Sequence, residues 1–173
     1  YGLFAEDKME FEEFIVNLGV RYDYFDPKWD KYPADLTDPV VDTNVGGEVK
    51  NPQNVEGKSY FSPRLGVAFP ISQRSRFYFN YGKMFQLPIM AFLYQNINWD
   101  FSGAFPMVGN PDIKPETTIY YEIGLEYQMG LHSKLKAVGF YKDIKGLTDT
   151  KRYFYTSSNY YTIRYNIDYG KIQ

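Results

Sequence analysis

The chain has 173 residues, with 19 basic against 21 acidic side chains for a formal charge of −2, and no cysteine. That balance offers no basic face to a nucleic acid, and the missing thiols exclude a disulfide framework and any thiolate metal site. Aromatic residues make up 20% of the sequence, 18 Tyr and 14 Phe against 2 Trp, a set that packs well on a pleated surface and favours strands over helices.

The mean hydropathy is −0.46, and no apolar run approaches the roughly 18 to 20 residues of a membrane-spanning helix. A membrane-spanning strand escapes both tests. It needs only about 9 to 11 residues, and every second one faces a polar lumen.

In chain order, residues 2–10 read as a first strand. Residues 14–24 follow with period-two alternation, Phe14, Val16, Leu18, Val20, Tyr22 and Tyr24 on one face and Asn17, Gly19, Arg21 and Asp23 on the other, broken only by Ile15. Shorter stretches of the same kind occupy 64–69, with Leu65, Val67 and Phe69 opposite Arg64, Gly66 and Ala68, and 76–82, with Phe77, Phe79 and Tyr81 opposite Tyr78, Asn80 and Gly82. Over 119–129, Ile119, Tyr121, Ile123, Leu125, Tyr127 and Met129 oppose Tyr120, Glu122, Gly124, Glu126 and Gln128. A strand at 134–144 leaves its faces open, because Val138 and Phe140 share parity with Lys136 and Lys142. A seventh strand, 161–169, sets Tyr161, Ile163, Tyr165, Ile167 and Tyr169 against Thr162, Arg164, Asn166 and Asp168.

The connections alternate in length. Residues 11–13, 70–75 and 130–133 are short turns, 148–159 is intermediate, and 26–60 and 87–117 are long, without period and rich in Pro, Asn, Asp and Gly. Loops of that length count against a compact soluble domain but suit an outer-membrane barrel, where periplasmic turns are short and extracellular loops long. The expected fold is all-β: an antiparallel transmembrane β-barrel segment of about seven strands. It is expected to be one partial barrel domain over 1–173 with both ends cut, since the chain opens at Tyr1 without an initiator Met and stops at Gln173 within a strand pattern.

Four motifs in order resemble those of TonB-dependent outer-membrane receptors. They are Gly19-Val20-Arg21-Tyr22-Asp23-Tyr24, then Phe61-Ser62-Pro63-Arg64-Leu65-Gly66, then Tyr81-Gly82-Lys83-Met84-Phe85-Gln86-Leu87-Pro88, and last Gly109-Asn110-Pro111-Asp112-Ile113-Lys114-Pro115-Glu116 leading into Glu122-Ile123-Gly124. The resemblance implies a 22-stranded barrel in the bacterial outer membrane, filled by a plug domain. It also implies uptake of a scarce nutrient (siderophore, vitamin, glycan or peptide) powered through the TonB complex. The implied partners are outer-membrane lipid, the plug, TonB and other outer-membrane proteins, with no nucleic acid and no cofactor. The plug, the TonB-contacting box and the closing C-terminal aromatic residue of the family are missing from this sequence, so it is expected to be a wall segment.

Candidate lumen or plug contacts are Arg21, Asp23, Arg64, Glu122, Glu126, Arg164 and Asp168; the plainer expectation is a ladder of charges that satisfy one another across strands. Candidate extracellular ligand contacts are Tyr94, Trp99, Phe101 and Phe105, whose rings serve equally well to pack a folded loop. The Gly-Asn-Pro-Asp-Ile-Lys-Pro-Glu stretch reads as a stiff entry into the following strand, with Pro111 and Pro115 fixing φ and biasing Asn110 and Lys114 away from the α region. Asp26, Asp30, Asp35, Asp38 and Asp42 share a loop without the spacing of a calcium-binding EF-hand, and a solvated acidic loop is expected. With His132 as the single histidine, triads and zinc sites lack their parts, and no enzyme is expected.

Two other functions fit parts of the pattern. One is a barrel serving as a structural or interaction component of an envelope assembly. The other is a soluble sandwich or propeller that binds glycans, which requires Val16, Leu18, Ile123 and Leu125 to be buried against protein. The barrel instead exposes them, with Tyr22, Tyr24, Tyr81 and Phe85 in an aromatic girdle.

Overall fold

The computed structural model describes residues 1–41, 47–103, 106–154 and 159–167, which leaves Asp42, Phe105 and Asp168 outside the described residues. The chain divides into two compact units. The first is a six-stranded sheet formed by β1 (Gly2–Glu10), β2 (Ile15–Phe25), β5 (Lys58–Ser72), β6 (Ser75–Gln86), β8 (Glu116–Gln128) and β9 (Lys134–Lys145), in that spatial order. Six of the seven expected strands are therefore neighbours in one sheet.

β1 pairs antiparallel with β2, Leu3 opposite Tyr22 and Met9 opposite Val16, and β5 with β6, Arg64 opposite Gly82 and Phe69 opposite Phe77. Side-chain neighbours give the other seams the same sense. Gly19 lies beside Arg64 and Gly66 beside Asn17, Asn80 reaches Glu122 as Arg76 reaches Glu126, and Gly139 lies against Ile123 as Lys136 lies near Glu126. β5 runs further than its alternation suggests because Pro63 and Pro70 interrupt the pattern. The ladder absorbs Pro70 next to a bulge before Ser72.

The three hairpins close on short turns. Phe11 N–H donates to Phe14 O at 2.9 Å with the two rings stacked at 4.6 Å, Ser72 and Ser75 join hydroxyls at 2.7 Å, and Met129 N–H donates to Ser133 O at 2.9 Å. Gln128 N–H donates to Arg74 O at 2.7 Å and so ties the second turn to the third.

Because directly opposed residues share a face, these registers sort the whole sheet. Leu3, Val16, Leu18, Val20, Leu65, Val67, Phe77, Phe79, Ile123 and Leu125 lie on one face. Asn17, Gly19, Arg21, Arg64, Gly66, Arg76, Tyr78, Asn80, Glu122 and Glu126 lie on the other. The open parity of β9 is resolved as well: Lys134 and Lys136 take the polar face, and with them Val138, Phe140 and Lys142. Tyr141, 6.5 Å from the Tyr121 ring, takes the apolar one.

The apolar face of this sheet is open, and its few buried side chains lie on the polar face, where Arg21, Arg64 and Lys136 stay exposed. Leu18, Ile123 and Leu125 are 45%, 51% and 46% exposed, whereas Tyr78 and Glu126 of the polar face are 8% and 7% exposed. Burial of these apolar positions against protein, which a soluble sandwich requires, is not what the sheet shows.

The second unit is built from the long connections, which are folded rather than structureless. It contains β3 (Tyr32–Pro33) paired with β4 (Pro52–Gln53), α1 (Met90–Tyr94), β7 (Met107–Val108), β10 (Leu147–Phe154) and β11 (Tyr160–Ile167). β10 and β11 form an antiparallel hairpin, Leu147 opposite Ile167, and β7 adds to β11 in parallel. The stretch expected to be an intermediate loop is thus largely β10, whose two faces are both mixed in polarity and give no periodic signal.

The seventh expected strand appears as β11 in this separate sheet, and its apolar face packs on protein. Tyr161 and Ile163 are buried with Val40, Trp99, Phe101 and Val108 in the core of the unit. Gly146, at φ +70°, makes the bend between β9 and β10, a left-handed position where a side chain would be strained and would approach Pro115 O.

Candidate functional site

The polar face of the six-stranded sheet holds most of the candidate contacts, and its centre is Glu126. On β8 this carboxylate accepts from Arg76 Nε at 2.8 Å and Lys134 Nζ at 2.6 Å, with Lys136 Nζ 3.7 Å away, so one acid gathers cations from both neighbouring strands. Lys136 also sits over the Tyr78 ring, 5.3 Å from its centroid. Four residues along β8, Glu122 has a lighter environment, accepting from Asn80 Nδ2 at 3.2 Å.

Arg21 and Asp23, two apart on β2 and therefore on one face, form a two-pronged pair, Nε to Oδ2 at 2.6 Å and Nη2 to Oδ1 at 2.7 Å. Arg64 differs. Its side chain is exposed and makes no hydrogen bond or ion pair among the described residues. It lines an open trough of about 590 Å³ with Glu6, Asn17, Arg21, Asn80 and Tyr120, and Gly19 and Gly66 supply the depth because they add no side chain. The ladder of mutually satisfied charges is present around Glu126 and Arg21, while Arg64 and Glu122 keep hydrogen-bonding capacity toward the open side.

Two tyrosines set the spacing of this face. The Tyr78 ring of β6 lies on Gly124 of β8, and the Tyr120 ring of β8 lies on Gly82 of β6, so that a Cβ at either glycine would overlap the ring. The glycines of the Tyr-Gly and Glu-x-Gly motifs are thus seats for aromatic side chains across one seam. The reach is about 40 positions in sequence, which is why the motif alone does not reveal it.

Of the remaining candidates, Arg164 lies in the second unit, its guanidinium 3.6 Å from the Phe92 centroid and Nη2 3.7 Å from Met107 Sδ. Trp99 and Phe101 are 2% and 5% exposed, packed edge-on at 6.2 Å, with Phe101 stacked on Tyr161 at 4.9 Å. Their rings are spent on the core of the folded loop. Trp99 takes φ +54°, costly for a bulky residue, inside a turn closed by the Asn96 side chain, which donates to Asp100 O at 2.8 Å and accepts from Asp100 N–H at 3.0 Å. Tyr94 is half-buried; its hydroxyl donates to Pro27 O at 2.9 Å and its ring lies 6.2 Å from Trp29.

The Gly-Asn-Pro-Asp-Ile-Lys-Pro-Glu stretch acts as a clip. Gly109 approaches the Leu93 carbonyl too closely for any side chain. Asn110 donates to Arg164 O at 2.8 Å and accepts from Asp112 N–H at 2.9 Å, and Lys114 N–H donates to Asn166 Oδ1 at 2.8 Å. The loop acids close local turns: backbone N–H donors of Lys28 and Thr37 hold the Asp26 and Asp35 carboxyls below the usual carboxylate range, and Asp38 pairs with Lys50 at 2.6 Å. No group of three or more His, Cys, Asp and Glu side chains among the described residues is arranged to hold a metal ion.

Solved structures with the same fold include a double mutant of the Serratia marcescens hemophore receptor HasR in complex with its hemophore HasA and heme. The TM-score is 0.60 at 16% identity, covering 95% of this chain and 29% of that one. A mutant of the ferric enterobactin receptor PfeA from Pseudomonas aeruginosa gives 0.53 at 14% identity, covering 96% and 31%. The chain thus spans under a third of the length of either receptor. No curated protein sequence matches it. The family model described as TonB dependent receptor-like, beta-barrel matches residues 1–173, and the chain belongs to that family.

Proposed function

We propose that the chain is a wall segment of an outer-membrane receptor that takes up a scarce nutrient with energy delivered through the TonB complex. The observation that carries this reading is the two-faced sheet, with its apolar side chains exposed on one face and its ion pairs on the other. Such a surface is stable where lipid meets the first face and an aqueous, protein-filled lumen meets the second. In this role Arg64 and Glu122 are the wall groups that meet a plug domain or passing cargo, with the Arg21–Asp23 pair beside them. Glu126 fastens β6, β8 and β9 together. Tyr94 belongs to the extracellular loop surface, where Trp99 and Phe101 hold the loop in shape.

Of the two receptors of like fold, one is a hemophore receptor in complex with its hemophore and heme and the other a ferric enterobactin receptor, so iron-bearing ligands are the first cargo to test. The full-length protein, produced in a bacterium lacking its own iron receptors, is expected to accumulate radiolabelled iron from heme or a ferric siderophore only when TonB is functional. Accumulation indifferent to TonB contradicts the proposal. So does failure with every nutrient class combined with a stable complex with another envelope protein, which favours the structural role.

A further inference from the structure

β1 places Leu3, Ala5, Asp7 and Met9 on one face and Phe4, Glu6, Lys8 and Glu10 on the other. Lys8 and Glu10 pair with each other at 2.5 Å on the polar face. Asp7 is directly opposite Leu18, so its carboxylate leaves the sheet on the apolar face, among Ala5, Met9, Val16 and Val20. That carboxylate is exposed and makes no hydrogen bond or ion pair among the described residues.

Its depth makes this unusual. At roughly 3.3 Å per residue and a tilt near 40°, each residue advances about 2.5 Å across the membrane. Asp7 is four residues from the turn at Phe11, which sets it about 10 Å into an apolar band about 25 Å tall. An aspartate is too short to reach either interface as a lysine or arginine would, and an ionisable side chain at that depth calls for a partner in the membrane plane.

We propose that Asp7 is the acidic half of an ion pair whose other half is a Lys or Arg on the strand hydrogen-bonded to the free edge of β1. β1 ends the sheet order, so one row of its N–H and C=O groups has no strand beside it among the described residues. Hydrocarbon does not tolerate an open edge, so a strand must lie there. The residue of that strand directly opposite Asp7 points to the same face with its Cβ about 4.5–5.5 Å away, nearer than any group of a separate protein can be guaranteed to come.

The proposal rests on the reading that this face meets lipid, and two arms of one experiment separate them. The full-length receptor is folded into phosphatidylcholine vesicles and its denaturant midpoint is measured for Asp7→Leu, Asp7→Asn and, on a distant strand of the same face, Ile123→Arg. All three are expected to lower the midpoint, the first two because a cation is left unpaired. Disulfide trapping from Asp7→Cys then identifies the residue opposite, and exchanging the two charges restores the midpoint. An Ile123→Arg variant as stable as the parent removes the lipid reading and the ion pair with it. If Ile123→Arg destabilises while Asp7→Leu leaves the midpoint unchanged or raises it, the face meets lipid but Asp7 stands there alone, and the ion pair is overturned.

Discussion

Gly124 and Gly82 show how much of this wall depends on what a residue lacks. Each seats a tyrosine ring from the neighbouring strand, Tyr78 on Gly124 and Tyr120 on Gly82, so Gly124→Ala is expected to destabilise by about 1–3 kcal/mol through overpacking. Tyr78→Phe should cost less than Gly124→Ala, because it keeps the ring seated on Gly124 and removes only the hydroxyl; urea unfolding of the full-length protein in lipid checks both. In the second unit, burial first, and then the nearby charges of the Asp112 carboxylate and the Tyr153 phenol, raise the Tyr32 phenol above its ordinary value. A raised folded pKa means that this contribution is complete below about pH 10, the unfolded value, and fades as pH rises beyond it. Tyr32→Phe should therefore remove part of the alkaline loss of loop structure, as followed by hydrogen exchange between about pH 9 and 11.

The strands were legible wherever period two ran through ten or more residues with at most one break. β2 and β8 appear within a few residues of their expected bounds, because ten or more alternating side chains leave one sensible register. β5 was shortened by Pro63 and Pro70, which local rules treat as breakers and the bulged ladder accommodates. β10 was hidden because its neighbours are found by a hairpin pairing rather than by one apolar face. β11 shows where alternation stops being informative: its period is two, but nothing in Tyr161 or Ile163 distinguishes an apolar face bound for lipid from one bound for Trp99 and Phe101. For β8 the assignment is testable. Ile123→Arg near the bilayer midplane should cost about 2–4 kcal/mol, whereas Glu122→Gln, one position away on the polar face, should alter the unfolding midpoint far less; equal losses would refute the two faces.

For the molecule as a whole, the same sequence makes a sheet with one open apolar face and a loop unit with a buried apolar core. The first follows from alternation and short turns. The second follows from contacts such as Asn110 to Arg164 O and Lys114 N–H to Asn166, which join segments more than 50 positions apart and have no local signature. The candidate site was legible to the same extent: Glu126 and Arg64 could be placed on the polar face from parity, but only the folded sheet shows that Glu126 is saturated by three cations while Arg64 is open. The most direct test places single nitroxide-labelled cysteines at each position from 119 to 125 of the full-length protein in a bilayer and measures collision with oxygen and with a water-soluble nickel chelate. The sheet predicts period two, with labels at Ile119, Tyr121, Ile123 and Leu125 meeting oxygen and those at Tyr120, Glu122 and Gly124 screened from it. Loss of that alternation, or the opposite phase, would contradict a wall with one face in lipid.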